Sequence, residues 1–447
     1  MSLVISKFGG TSVKNFKSMQ NCVNLVMRNQ ARKVVVTSAP SGITNNLVAL
    51  GDGGLTHQQR IEIFQQIEQQ LHDILNMLVD TNGLISDRLS IMLNDMRELA
   101  SDPELNICPE KQDWLLSYGE RFASLLLTQC FIEKGVNAVE FDIREILLTD
   151  ENHGSATPNT AALGLLAKDL LKPKLENKLV ITQGFLGKTE SGKTTTLGRG
   201  GSDYTAALLS EALDAEKCEI WTDVAGVYST DPRIVSEAFP LPELSYDEAA
   251  EMANFGAKVL HPATLAPTLR AGIPVFVGST KEPEKGGTTI VQDCEQEPHY
   301  RAITRRREQK LVTLQTPKLL RTNQFIGKVF SVLDKFGLSV DLITTSETSI
   351  SLTLNAGDQT NLASASKGAL SELSQMCDVE ITSGLDLITI VGNKLHQNNG
   401  VTSKIFALLE DVSLRMISYG ANPHNISFLL DASDSESTIK KLHSGLF

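Results

Sequence analysis

Four short runs of β-branched and aliphatic residues stand out in the first two-thirds of the chain: LVIS (3–6), KVVVT (33–37), LVITQ (179–183) and IPVFV (273–277). Each gives way to Gly, Ser or Thr, and none alternates with polar residues. Apolar runs of this length without alternation are expected of parallel strands buried on both faces. Between them the period changes. Ile61, Phe64, Ile67, Leu71, Ile74 and Leu78 recur every three or four residues, and Leu208, Leu209 and Leu213 do so after Ser202, which predicts amphipathic helices. Strands alternating with helices imply an α/β fold, a three-layer αβα sandwich.

After Gly286 the pattern breaks. "TTIVQDCEQEPHYRAITRRREQK" is polar and irregular, and is expected to be a connector. Beyond it SVDLITTSETSISLTL (339–354) and SLRMISYGANPHNISFLL (413–430) repeat one design of strand, polar turn and strand, each flanked by helix-like segments (326–336 and 361–375; 401–410 and 435–443). Two ferredoxin-like βαββαβ units are predicted, a kind of repeat that senses a ligand or makes a dimer more often than it does chemistry. The expected division is 1–290, a linker at 291–310, then 311–384 and 385–447.

Composition narrows the function without naming it. A chain of 447 residues exceeds the usual single core, so several domains are expected. No segment reaches the roughly 18 consecutive apolar residues of a membrane span, and MSLVISKFGG lacks the apolar run of a signal peptide. Cys22, Cys108, Cys130, Cys218, Cys294 and Cys377 show no CxxC pair, as expected of reduced thiols in a cytoplasm. The net charge of -12 argues against a nucleic-acid partner, and the basic run RAITRRREQK reads as linker or solvated surface.

Residues 187–194, GKTESGKT, satisfy GxxxxGK[ST], the phosphate-cradling P-loop pattern. A working P-loop puts its Gly-Lys-Thr at a helix start, whereas here Thr194, Thr195, Thr196, Gly198, Gly200 and Gly201 follow, a poor helix. A polar hairpin tip is expected instead. The better anion sites lie elsewhere. LGRGGSDYTAALL runs a double glycine into a helix expected to be capped by Ser202 and Asp203, with Arg199 adjacent. LVIS leads into KFGGTS, with Lys7 at the strand end, Gly9 and Gly10 in the turn and a helix from about Val13. VVVTSAPSGITNN repeats the arrangement with Ser38, Ser41, Gly42 and Thr44. Three anion-friendly loops at strand ends point to a nucleotide or phosphoryl-transfer enzyme.

SKFGGTSV, SYGER, TTTLGRGGSD, WTDVAGVYSTDPR, FGAKVLHP and SVDLITTSE, taken in order, resemble the aspartokinases, most closely the monofunctional, lysine-sensitive class, over essentially the whole chain. The resemblance implies an amino-acid kinase fold followed by two ACT domains, and transfer of a phosphoryl group from ATP to the side-chain carboxylate of L-aspartate. Such a nucleophile is ionised at neutral pH and needs no general base, so catalysis reduces to positioning and charge neutralisation. The resemblance then gives Lys7 to the transferring phosphoryl group and Asp203 to ordering that lysine. It puts the substrate α-carboxylate on Arg199 and its ammonium near Glu120, with Thr44 and Ser202 adding hydrogen bonds. Lys7, Gly9, Gly10, Thr222, Asp223, Tyr228, Arg233 and Lys258 go to the nucleotide, and Mg2+ is expected to arrive with ATP rather than in a protein cage. An L-lysine effector is expected at a dimer interface of the ACT repeats, on Leu319, Thr322, Phe325, Ile326, Val340, Asp341, Ser346 and Glu347. Leu319 and Thr322 stand where Met and Ser are usual.

Two other readings stay open at this point: a non-catalytic amino acid sensor on a kinase scaffold, and a P-loop ATPase working through Lys193. The second is tested by Lys193→Ala, which is expected to leave kcat within about twofold of the parent; a loss of a hundredfold or more would restore the P-loop.

Overall fold

In the computed structural model the apolar runs pair as expected. The structure describes the chain apart from residues 1, 81, 258–259, 261, 295–297, 316–321, 355–358, 394 and 397–398, and apart from the side chains of 262–263, 322–323 and 359–365. Two compact units are present. The first comprises residues 1–227, 240–250 and 258–295, the second 228–239, 251–257 and 296–447.

The strands of the first unit are β1 (Val4–Phe8), β2 (Arg32–Thr37), β3 (Ala138–Phe141), β4 (Leu179–Gln183), β5 (Leu186–Lys188), β6 (Thr194–Thr196), β7 (Lys217–Thr222), β8 (Glu243–Ser245), β9 (Val275–Ser279) and β10 (Gly287–Val291). Its helices are α1 (Phe16–Met27), α2 (Ile43–Gly51), α3 (His57–Leu75), α4 (Leu84–Ala100), α5 (Pro109–Glu133), α6 (Thr160–Leu166) and α7 (Gly201–Ala212). After them come α8 (Tyr246–Asn254), whose residues from Glu251 on are assigned to the second unit, and α9 (Pro262–Ala271). Eight strands form one sheet in the order β3-β4-β2-β1-β7-β9-β10-β8. The run from β3 to β9 is parallel, and β10 lies antiparallel to β9. β1 is central and buried throughout.

Side chains alternate across a strand, and β1 uses that alternation to separate stability from chemistry. Phe8 enters an apolar core shared with Met19 and Val23 of α1, Leu47 of α2, Leu71 of α3, Met96 of α4 and Phe122 of α5. Lys7, its neighbour, faces the other side, where α7 packs. Below it Glu219 accepts from Ser6 Oγ at 2.9 Å, from Trp221 Nε1 at 2.8 Å and from Arg32 at 2.7 and 3.1 Å, tying β1, β2 and β7 into one plane.

Two helix starts differ from expectation. α1 begins at Phe16 rather than Val13, because Asn15 caps it by accepting from Ser18 N, and Gly10–Ser12 forms a separate 3-10 turn. α7 is entered through Gly200 at φ 72°, not through a Ser202-Asp203 cap. With the glycine making the turn, Asp203 is released for another partner.

The second unit holds β11 (Ala302–Gln315), β12 (Val340–Thr345), β13 (Ser349–Leu354), β14 (Asp378–Val391), β15 (Leu414–Tyr419) and β16 (Asn425–Asp431). Its helices are α10 (Thr322–Lys335), α11 (Gln359–Leu373), α12 (Val401–Leu408) and α13 (Ser435–Leu446). They form one sheet, β12-β13-β11-β14-β16-β15. The repeat is real, but its connector is not a connector. β11 and β14 each change register midway, and each serves both halves. The C-terminal half of β11 opens the first βαββαβ unit, and Ala302–Arg306 pairs with Leu387–Val391 to supply the fourth strand of the second. RAITRRREQK is therefore a sheet strand, not a solvated linker, and β10 likewise orders part of the expected irregular stretch.

The polarity that disguised this strand is matched by burial of opposite charge. Arg305, 8% exposed, lies 3.9 Å from Asp386, 5% exposed, and donates to Ser435 Oγ at 3.0 Å; Arg306 pairs with Asp341. On the same face of that strand as Arg305, Ile303 joins Ile388, Ile390, Phe428 and Leu430 in the core with residues of α12 and α13. His443 of α13, also buried, bonds Ser229 Oγ through Nε2 at 2.9 Å and stacks on Phe447.

Removing one partner of a buried ion pair strands the other. Asp386→Ala is expected to cost about 3 kcal/mol in equilibrium unfolding, and the double change Arg305→Met with Asp386→Leu less than half of that. A loss below about 0.5 kcal/mol for the single change would mean that the pair is solvated.

Candidate functional site

The C-terminal ends of β1, β2, β4 and β7 are sewn together by backbone hydrogen bonds. Ser38 N donates to Phe8 O at 3.1 Å, Gly184 N to Thr37 O at 2.8 Å, Gly9 N to Trp221 O at 2.9 Å and Ser41 N to Gly10 O at 3.0 Å. Four strand ends thus share one rim, the place where open parallel sheets receive ligands. Lys7 rises from it, 8% exposed, and its Nζ lies 2.5 Å from Asp203 Oδ1 in the first turn of α7. The ion pair holds the ammonium beside the first turn of α7, and a helix N-terminus favours an anion.

α5 contributes the opposite charge. Its residues Asp113, Ser117, Glu120, Ser124 and Thr128 recur at helical spacing and are all buried, a polar stripe turned inward. Glu120 accepts from Ala39 N at 3.0 Å. Gly119 makes that approach possible: a Cβ there would sit 2.6 Å from the Ala39 Cβ. Burial pushes the Glu120 carboxyl up to about 8, while the Ala39 N–H bond and the nearby Lys7 ammonium pull it down. Lys7 and Glu120 therefore act on one another electrostatically.

Of the other expected substrate residues, Ser202 is buried in the first turn of α7, and Arg199 is exposed on the Gly198–Gly201 turn that enters it. Thr44 is exposed in the first turn of α2. For the nucleotide, Gly9 and Gly10 sit on the shared rim, and a Cβ on Gly10 would meet Ala39 O at 2.6 Å. Thr222 ends β7, its hydroxyl 3.2 Å from Asp223. Tyr228 and Arg233 belong to the second unit, where Arg233 is held by Asp231. Lys258 lies outside the described residues.

The P-loop reading is overturned. Gly187–Thr194 is the hairpin of β5 and β6, closed by Gly192 at φ 87°. Its Lys193 Nζ pairs with Glu110 at 2.7 Å. With no helix behind its Gly-Lys-Thr, this tip lacks the oriented N–H groups a phosphate needs.

In the second unit Phe325 is buried in the core beneath α10 and α11, and Ile326 and Val340 pack against the same core. Asp341 is held by Arg306, and its carboxyl is pushed up by burial against that ion pair. Ser346 and Glu347 lie in the β12–β13 turn, with Ser346 Oγ bonded to Ser349 Oγ at 2.7 Å. Asp341 lies near the start of β12 and Ser346 just past its end, about 17 Å away along an extended strand. Leu319 lies outside the described residues, as does the side chain of Thr322.

Sequence reasoning missed Asp113 and the inward polarity of its stripe. Polar residues at helical spacing read as a solvated face, and only the 25-residue length of α5, which predicts a central helix, carried a signal.

Comparison with known proteins identifies the family and the fold. Residues 2–279 match the model of the amino acid kinase family, and residues 388–446 that of an ACT domain. The chain is 46% identical to the lysine-sensitive aspartokinase 3 of Escherichia coli over 447 residues, all of this chain and 99% of that one. It superposes on the crystal structure of E. coli aspartokinase III with aspartate and ADP (R-state) with TM-score 0.90 at 45% identity, covering both chains completely. For the same enzyme with lysine and aspartate (T-state) the TM-score is 0.85, covering 100% of this chain and 99% of that chain.

A raised carboxyl pKa has a defined effect on stability. Below about pH 4.5 Glu120 is neutral whether the chain is folded or not. Between there and about 8 ionisation favours the unfolded chain, so its contribution falls across that window as pH rises. Glu120→Gln, which keeps an acceptor for Ala39 N, is expected to match the parent in thermal unfolding near pH 5. It should exceed the parent by roughly 1–3 kcal/mol at pH 8.5. Equal pH profiles for the two proteins would contradict the shift.

Proposed function

The chain belongs to the amino acid kinase family and, within it, to the aspartokinases, and from that premise we propose how its own residues transfer a phosphoryl group from ATP to the side-chain carboxylate of L-aspartate. The observation that carries the reading is the convergence of Lys7, Asp203 and Glu120 on one rim, with Arg199 on the turn into α7. An aspartate molecule brings an ammonium, an α-carboxylate and a reacting carboxylate. Glu120 receives the ammonium, Arg199 the α-carboxylate in a bidentate pair, and Ser202 and Thr44 complete its hydrogen bonds.

The reacting carboxylate is already ionised. Its oxygen attacks the γ-phosphorus, the new C–O–P link forms, the bond to the bridging oxygen breaks, and ADP leaves with that electron pair. No proton moves in the step. Lys7 neutralises charge on the transferring group, and Asp203 holds the ammonium on its line; ordered cations of this kind are worth several kcal/mol in a water-poor site. Gly9 and Gly10 admit the phosphates close to backbone N–H groups, and Thr222, Asp223, Tyr228, Arg233 and Lys258 are assigned to the remainder of the nucleotide. Magnesium enters with ATP, held by phosphate oxygens and water, since Asp203 is committed to its ion pair.

Product of this step leads toward lysine, threonine and methionine. Feedback by L-lysine acts through the ACT units, and the separation of Asp341 from Ser346 and Glu347 favours an effector site completed by a second copy of the chain. We therefore assign a homodimer or larger assembly. The six cysteines are free thiols and no described helix is long and apolar enough to cross a membrane, in keeping with a cytoplasmic enzyme.

Purified protein with ATP, aspartate and hydroxylamine is expected to form aspartyl hydroxamate, and Lys7→Ala to lower kcat by at least about a thousandfold; an active Lys7→Ala enzyme would remove Lys7 from the chemistry. When lysine, threonine and methionine are titrated singly against initial rate, lysine alone is expected to inhibit. Glu347→Ala should raise the lysine concentration for half inhibition about tenfold without changing the uninhibited rate; unchanged lysine sensitivity would take Glu347 out of the effector site.

A further inference from the structure

Asp113 is not accounted for by the reaction. It is 1% exposed, on the same face of α5 as Glu120 and two turns before it, which is about 10.5 Å along the axis. A carboxylate so buried is retained only where donors surround it, and here they do. Oδ1 accepts from Thr196 Oγ1 at 2.5 Å, Oδ2 from Thr196 N at 3.1 Å, and both oxygens from Gly154 N at 3.1 Å. Oδ2 also lies 2.8 Å from His153 Nδ1, which must be the donor, since the carboxylate accepts only.

These partners come from two segments that frame the substrate turn. Thr196 ends β6, and Leu197, Gly198 and then Arg199 follow. His153 and Gly154 belong to the loop at 149–157, which runs along the hairpin through Ala156 N to Thr196 O at 2.9 Å and Thr149 Oγ1 to Thr195 Oγ1 at 2.7 Å. Gly154 also touches the turn from the other side: a Cβ on Gly198, whose φ is 74°, would lie 3.1 Å from Gly154 O. One side chain of α5 thus fixes both walls of the turn that carries Arg199.

We propose that Asp113, with His153, is a positioning pair that sets the distance between Arg199 and Glu120, and so selects the spacing between the two charged groups at the α-carbon of the substrate. α5 acts as the ruler: one of its carboxylates receives the substrate ammonium, and another, two turns away, anchors the loop bearing the cation for the α-carboxylate. ATP is bound by the rim of β1 and β7, which Asp113 does not touch, so loosening the anchor acts on one substrate. The inference rests on the assignment of Arg199 to aspartate.

Steady-state kinetics of the full-length enzyme test it. Asp113→Asn places an amide donor against the Thr196 and Gly154 N–H groups. It is expected to raise the aspartate KM at least tenfold, with the ATP KM within twofold. His153→Ala should raise the aspartate KM about fivefold and His153→Gln, whose amide still donates to Asp113, should restore it to within twofold of the parent. Thr196→Val, nearly isosteric, should raise it about threefold if Asp113→Asn fails to fold. Parallel changes in both KM values, or a fall in kcat alone, would reduce Asp113 to a structural role and overturn the proposal. Arg199→Ala separates the two failures: an unchanged aspartate KM there refutes the substrate assignment itself, whereas a raised value beside unaffected Asp113, His153 and Thr196 variants refutes only the positioning pair.

Discussion

The ion pair between Lys7 and Asp203 is the constraint on which the catalytic unit depends. It joins the central strand to the helix entered through the glycine turn, and it exists because β1 alternates: Phe8 turns into the core of α1 to α5 and Lys7 turns the other way. A lysine on a fully buried strand costs too much desolvation to persist unpaired. Asp203 makes its burial tolerable, and Gly200 frees Asp203 from capping duty. The outcome is an ordered cation at a sheet edge before any phosphate arrives, the preorganisation that phosphoryl transfer requires.

Glu120 completes the site by the opposite device. Among the described residues no cation forms an ion pair with it, and burial pushes its carboxyl up to about 8, which on the proposed assignment lessens the negative charge met by an anionic substrate. In the proposed reading an incoming ammonium supplies the missing charge and releases the proton. On the proposed assignment, specificity for an amino acid follows from one pair of groups, an arginine on the glycine turn into α7 and a buried carboxylate on α5, whose separation the scaffold must hold.

Much of this was legible in the chain. The β-branched runs gave the parallel strands, and Gly9-Gly10 and Gly200-Gly201 marked the turns where anions are proposed to bind, because few other residues allow such close backbone approach. GKTESGKT was separable from a P-loop on local grounds, since β-branched threonines and glycines follow it where a helix should. Two features were hidden. RAITRRREQK looked like linker because its charges are neutralised by Asp386, Glu436 and Asp341, partners distant in sequence. Asp113 on the inward face of α5 went unnoticed because it finds its donors on Gly154 and Thr196, again through tertiary contact. Buried charge is the pattern that local periodicity misreads, and in both units it lies where the fold closes on itself.

The most direct measurement is a crystal structure of the enzyme with ADP and L-aspartate. The account predicts nucleotide phosphates beside Lys7 and the Gly9-Gly10 turn, and an aspartate whose α-carboxylate meets Arg199 while its ammonium meets Glu120. Phosphates enclosed by residues 187–194, or an aspartate bound away from Glu120, would contradict it.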